Sequence, residues 1–108
     1  MNNGLSDDTI AHIRTLFRRH PEIEKAILYG SRAKGTHKTG SDIDLTLLGA
    51  VLEPDTVSQL QVELSNGPLP YQVDLSILAR LSSPELLEHI NRVGVIFYER
   101  DAVLAPSN

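Results

Sequence analysis

The chain has 108 residues, no cysteine and a formal net charge of −4, which sets one domain with a modest core and excludes disulfides, thiol nucleophiles and thiolate metal sites. Its 41% apolar and 22% charged residues are a globular balance, unlike that of a disordered chain. Charge is unevenly placed: residues 1–38 hold seven Lys/Arg against four acids, and residues 39–108 hold three against ten. That argues against direct nucleic-acid binding over a broad basic face, and for a small anionic ligand held beside a cation. No apolar run approaches a membrane span, and residues 1–4 do not open a signal peptide, so the expected location is the cytoplasm.

A first helix is expected over 6–20, capped by Ser6 or Asp7, with Ile10, Ile13, Leu16 and Phe17 as its buried stripe and Pro21 after it. His12 and His20 have no partner at metal-ligand spacing and read as surface or boundary residues. Residues 26–29 form a short apolar run, the mark of a strand covered on both faces. Gly30-Ser31 stops it, and 31–34 can open a short helix whose free N–H groups face an anion. Taken alone, Gly30-Ser31 is no more than a turn.

Residues 42–48 alternate, with Ile43, Leu45 and Leu47 on one face and Asp42, Asp44 and Thr46 on the other. Cα atoms two apart along a strand are roughly 6.6 Å apart, so both carboxylates can converge on one cation. Asp is poor in strands and like charges on one face repel. The alternative is a solvated edge. A helix follows over 54–65, with Val57, Leu60 and Leu64 inward and Asn66-Gly67-Pro68 as its stop. The strand 72–78 places Asp74 on its polar face, where a lone acid is ordinarily only exposed. A last helix, 84–93, carries Leu86, Leu87, Ile90 and Val93, Gly94 ends it, and 95–98 make a final strand. The expected fold is α/β (α+β): a mixed sheet of about four strands with helices packed on it, in one domain over 1–108, its core at about 6–99 and a loose tail over 101–108.

Spacing disposes of several motifs. Gly30-x4-Gly35-Thr36 lacks the lysine that a P-loop carries after its second glycine. Asp42-x-Asp44-x-Thr46 has the DxDxT letters of haloacid-dehalogenase phosphatases, but here the acids begin a strand, whereas there they follow one. It is not a calcium loop, because Ile43 and Leu45 interleave the acids and no closing glutamate follows.

What remains is Gly30-Ser31, then Asp42-x-Asp44, then Asp74. GSRAKGTHKTGSDIDL, YQVDL and PELLEHINRVGVIFYE together closely resemble the minimal nucleotidyltransferases of the DNA polymerase β-type superfamily, over about residues 10–99. The resemblance implies a nucleotidyltransferase fold. It implies that Gly30 and Ser31 hold the nucleotide phosphates, and that Asp42 and Asp44 bind Mg²⁺. Asp74 would complete a second metal site and help deprotonate the acceptor. Arg32 and Lys34 are candidate phosphate contacts, with an outward-facing basic loop as the alternative; His37 and Lys38 are weaker candidates. Tyr29, Tyr71 and Tyr98 could stack on a base or simply pack.

The implied function is Mg²⁺-dependent transfer of AMP from ATP to a tyrosine hydroxyl of a helical HEPN-type partner encoded beside it, the chain being the antitoxin of a toxin–antitoxin pair. Two alternatives stand: a non-catalytic binding antitoxin or nucleotide-binding subunit that neutralises its partner by complex formation, or transfer to a small molecule. Acceptor, base preference and homo- or hetero-oligomeric state stay open.

Overall fold

Residues 3–100 are described by the structure, a computed structural model. In chain order the elements are α1 (Asp7–Arg18), β1 (Lys25–Tyr29), α2 (Gly30–Lys34), β2 (Ile43–Leu48) and α3 (Pro54–Ser65), followed by β3 (Val73–Ile77), a 3-10 turn (Leu78–Arg80), α4 (Pro84–Val93) and β4 (Val95–Glu99). The four strands form one mixed sheet in the order β3-β2-β1-β4. β1 is antiparallel to both β2 and β4, and β2 is parallel to β3. The parallel pair needs a crossover, and α3 supplies it.

Local chemistry explains the boundaries. The Ser6 hydroxyl accepts the Thr9 N–H at 3.1 Å, and Asp7 and Asp8 occupy the first turn of α1. That helix stops at Arg18, two residues short of expectation, because the Arg19 N–H turns back to the Leu16 carbonyl at 3.2 Å ahead of Pro21. Pro54 opens α3, and Ser83 caps α4 by accepting the Leu86 N–H at 3.2 Å. β2 begins at Ile43, so Asp42 stands just ahead of the strand. The 3-10 turn after β3 was not signalled by periodicity. The expected tail over 101–108 lies outside the described residues.

One sheet face is wholly apolar. Ala26, Leu28, Ile43, Leu45, Leu47, Val73 and Ile77 pack there against Ile13, Leu16 and Phe17 of α1 and Leu60 and Leu64 of α3. β4 joins this core through a register shift opposite Ala26 and Ile27, where Ala26 pairs with Tyr98 and Ile27 with Ile96, leaving Phe97 as the extra residue. Phe97 and Tyr98 therefore both reach Phe17, edge-on at centroid distances of 6.5 and 5.5 Å. At the opposite edge, Gln61 of α3 stands in for a missing neighbour strand. Its amide donates to the Val73 carbonyl and its carbonyl accepts the Leu75 N–H.

The other sheet face is only partly covered, by α4. Of the stripe expected to bury, Ile90 alone is buried; Leu86 and Val93 are half-buried, and Leu87 is 36% exposed. The helix spans only part of this face, so an apolar groove lined by Ile27, Leu78, Leu87, Ile90, Val95 and Ile96 stays open beside it. Thr46, expected on the polar face of β2, is fully buried there and accepts the Ser76 hydroxyl at 2.9 Å.

The aromatic trio gives a direct stability test. Phe17→Ala removes a ring with no solvent exposure and should cost about 3–5 kcal/mol, read as a lower urea midpoint at unchanged m-value.

Candidate active site

The site is built on one row of the sheet. Tyr29 of β1 pairs with Asp44 of β2, and Asp44 pairs with Asp74 of β3. Neighbouring strands lie about 4.8 Å apart, so this register puts the two carboxylates side by side on the partly covered face. Asp42 lies two residues before Asp44, just ahead of the strand, and its charge acts on the Asp44 carboxyl. Asp42 and Asp74 are exposed and Asp44 is half-buried.

Burial pushes the Asp44 carboxyl above its usual range, and the neighbouring charges of Asp74 and Asp42 push it further, against a smaller opposing pull from His89. Burial likewise raises the Tyr29 phenol, opposed by Ser76 and reinforced by Asp44 and Asp74. None of the three aspartates takes part in the ion pairs among the described residues, which join His20 to Glu63, Lys25 to Glu99 and Arg92 to Glu88.

Gly30 follows Tyr29 immediately, so the sheet row delivers it to the same place. Its φ is +77°, and a Cβ there would collide with Asp44 Oδ2. Only a residue without a side chain fits this turn and this contact. The Gly30 N–H donates to Nε2 of His89 on α4 at 3.1 Å. The His89 ring meets Tyr29 edge-on at 6.2 Å. Ser31 follows as the second residue of α2, and its hydroxyl makes no hydrogen bond among the described residues.

The structure brings together Gly30, Ser31, Asp42, Asp44 and Asp74. It places Arg32 differently from both sequence readings, which had it contacting phosphate or facing outward. Arg32 is 2% exposed. Its Nε and Nη2 donate to the Ser41 carbonyl at 3.1 and 2.8 Å, and its Nη1 donates to the Asn3 carbonyl at 2.8 Å. The guanidinium also lies 4.8 Å from the Tyr71 ring centroid. It is thus committed to fixing the loop that delivers Asp42. Lys34 and Lys38 are exposed, while His37 packs over Gly4. Of the tyrosines, Tyr98 is core, Tyr71 supports Arg32, and Tyr29 faces the site.

His89 escaped the sequence reading. It sits one position before the buried Ile90 in a helix that read as purely packing, and its only signal was a titratable side chain next to an apolar stripe.

The residues present fit a divalent cation in charge: three carboxylates stand together outside every ion pair among the described residues, one of them half-buried and resisting ionisation. As they stand, no group of three or more potential ligands is drawn into a ready-made metal cluster among the described residues, so a cation would have to gather them.

A strand-built carboxylate set beside a glycine turn, on a mixed four-stranded sheet, defines a nucleotidyltransferase fold. The chain belongs to the family described as Polymerase beta, Nucleotidyltransferase, whose model matches residues 11–103. No curated protein matches it. Among solved structures it is similar to a toxin–antitoxin crystal structure with AMP-PNP, at 26% identity and a TM-score of 0.67, over 90% of this chain and 76% of that one. It is also similar in fold to a tri-AMPylated Shewanella oneidensis HEPN toxin in complex with MNT antitoxin, at 24% identity and a TM-score of 0.65, over 88% and 73% of the two chains. The toxin–antitoxin MntA-HepT gives 24% identity and a TM-score of 0.65, over 87% and 73%.

The crowding of Asp44 has a testable sign. Its carboxyl is raised in the folded state, so folding favours the protonated form; that contribution is present at acid pH and lost as pH rises through the raised value. At neutral pH the charged form costs stability. Asp44→Asn should therefore stabilise the chain at pH 7, because it removes a charge that burial and the neighbouring acids disfavour, with the gain vanishing below the usual carboxylate range. Thermal melts of both chains from pH 3 to pH 7 check it.

Proposed function

We propose that this chain is an Mg²⁺-dependent nucleotidyltransferase that moves AMP from ATP to a tyrosine hydroxyl of a HEPN-type partner encoded beside it, acting in the cytoplasm as an antitoxin. The observation that carries the reading is the row Tyr29–Asp44–Asp74, with Gly30 locked against Asp44. The similarity to a toxin–antitoxin structure with AMP-PNP supports both the nucleotide and the kind of partner.

Asp42 and Asp44 would hold the first Mg²⁺, with Asp74 completing a second site. When bound, the two cations offset the charge that builds on the attacking and leaving oxygens. Ser31 and the Gly30 turn would hold the β- and γ-phosphates, and exposed Lys34 would be a further phosphate contact. The acceptor oxygen forms its bond to the α-phosphorus as the bond to the bridging oxygen of pyrophosphate breaks. Asp74 takes the hydroxyl proton. Holding acceptor and phosphorus in line is itself a large part of such catalysis. Arg32 contributes at a distance, by fixing Ser41 and hence the approach of Asp42.

The chain incubated with Mg-ATP and the neighbouring partner should add mass to the partner in AMP-sized steps, and Asp44→Asn should reduce this to background while the complex still forms. A partner of unchanged mass that nonetheless binds the wild-type chain rules out transfer. If Asp44→Asn still suppresses the partner in cells, neutralisation is by binding alone.

A further inference from the structure

The β1–β2 ladder ends at the Tyr29–Asp44 pair, so Gly30 is the first residue with no strand to hold its N–H. An imidazole takes it instead: His89 Nε2 accepts at 3.1 Å. The acceptor sits on a firm support. α4 is capped by Ser83, its next residue Ile90 is buried, and the ring itself rests edge-on against Tyr29 at 6.2 Å. The Asp44 carboxylate lies against the same glycine, so close that any Cβ on Gly30 would meet Oδ2. Gly30 is therefore held between a helix-borne acceptor and a carboxylate. A shift of its Cα toward Asp44 has to move that carboxylate, and a shift away removes the wall against which it rests.

We propose that His89 is a positioning residue: by accepting the Gly30 N–H it sets the glycine turn against Asp44 and so fixes the orientation of that carboxylate toward a divalent cation. The geometry requires Nε2 to be the unprotonated nitrogen, and it makes α4 part of the machinery although it carries none of the three acids. The inference rests on the reading of Asp44 as a cation ligand; it does not depend on which molecule accepts the nucleotide.

Two variants separate the hydrogen bond from the packing of the ring. His89→Phe keeps a ring against Tyr29 and loses the acceptor. His89→Gln loses the ring and keeps an oxygen at a similar reach. Thermal midpoints establish that both are folded. Three quantities are then measured on the full chain: solvent exchange of the Gly30 amide proton by NMR, Mn²⁺ affinity by electron paramagnetic resonance, and the kcat and KM of transfer. In His89→Phe the Gly30 amide should exchange faster and Mn²⁺ should bind more weakly, each by about five-fold, the equivalent of one ordinary hydrogen bond. The rate loss should fall on kcat, with KM for ATP unchanged. In His89→Gln the amide protection and Mn²⁺ affinity should return to within about two-fold of wild type. Wild-type behaviour in His89→Phe, or a His89→Gln as impaired as His89→Phe, overturns the proposal. A wild-type chain that binds Mn²⁺ but transfers nothing defeats the proposed reaction instead, and the amide and Mn²⁺ readouts still decide the role of His89.

Discussion

The mutual repulsion of Asp44 and Asp74 is the constraint around which this molecule is arranged. The two acids are direct neighbours across a parallel strand pair, a placement that destabilises a sheet unless something else compensates. The sheet meets the cost in two ways. The reverse face of the same strands is continuous apolar core, with Ile43, Leu45 and Leu47 fully buried, so the pair cannot separate without unpacking α1 and α3. The register is also pinned from both sides, by β1 on one edge of β2 and by β3, itself held by Gln61, on the other. A one-residue slip would turn the acids into the core. Strong packing on one face is what allows repulsion to be held on the other.

That division of labour explains which parts were legible in the sequence. The strand alternation at Ile43–Leu48 and Val73–Ile77 reports burial directly, because a face that must be apolar shows it at every second residue. The helices at Pro54–Ser65 and Pro84–Val93 announce themselves by Pro at the start and a break at the end. Long-range pairing leaves no such trace. Nothing in the local pattern says that β3 lies parallel to β2 and puts Asp74 level with Asp44, and it took the family resemblance to associate them. The groove beside α4 was illegible for the same reason: Leu87 has the spacing of a buried residue, but burial needs a facing surface, and α4 covers only part of the sheet face, leaving Leu87 on the rim of the groove.

Arg32 and His89 are instructive because each inverts the natural reading of its residue type. An arginine after Gly-Ser invites a phosphate. Yet three of its guanidinium hydrogen bonds go to the carbonyls of Ser41 and Asn3, satisfying loop backbone that would otherwise be buried without partners. A histidine inside an amphipathic helix invites no function at all, and it is the one that reaches the glycine turn. Side-chain type predicts what a residue can bond; only tertiary contact decides whether loop, ligand or turn receives the bond.

Committing Arg32 to the loop has an electrostatic consequence for the proposed reaction. The site then has three carboxylates, and the other basic residue of the helix that begins at Gly30 is the exposed Lys34. A free triphosphate brought to such a place would meet net negative charge, and a screened surface lysine offsets little of it. A triphosphate carrying divalent cations arrives with its charge largely neutralised and presents the carboxylates with the counter-ions that their crowding lacks. In the proposed reaction, the repulsion that makes the charged form of Asp44 costly would thus favour the cation-bound nucleotide over the bare one. The burial of Arg32 would strengthen that preference by keeping a permanent positive charge away from the carboxylates.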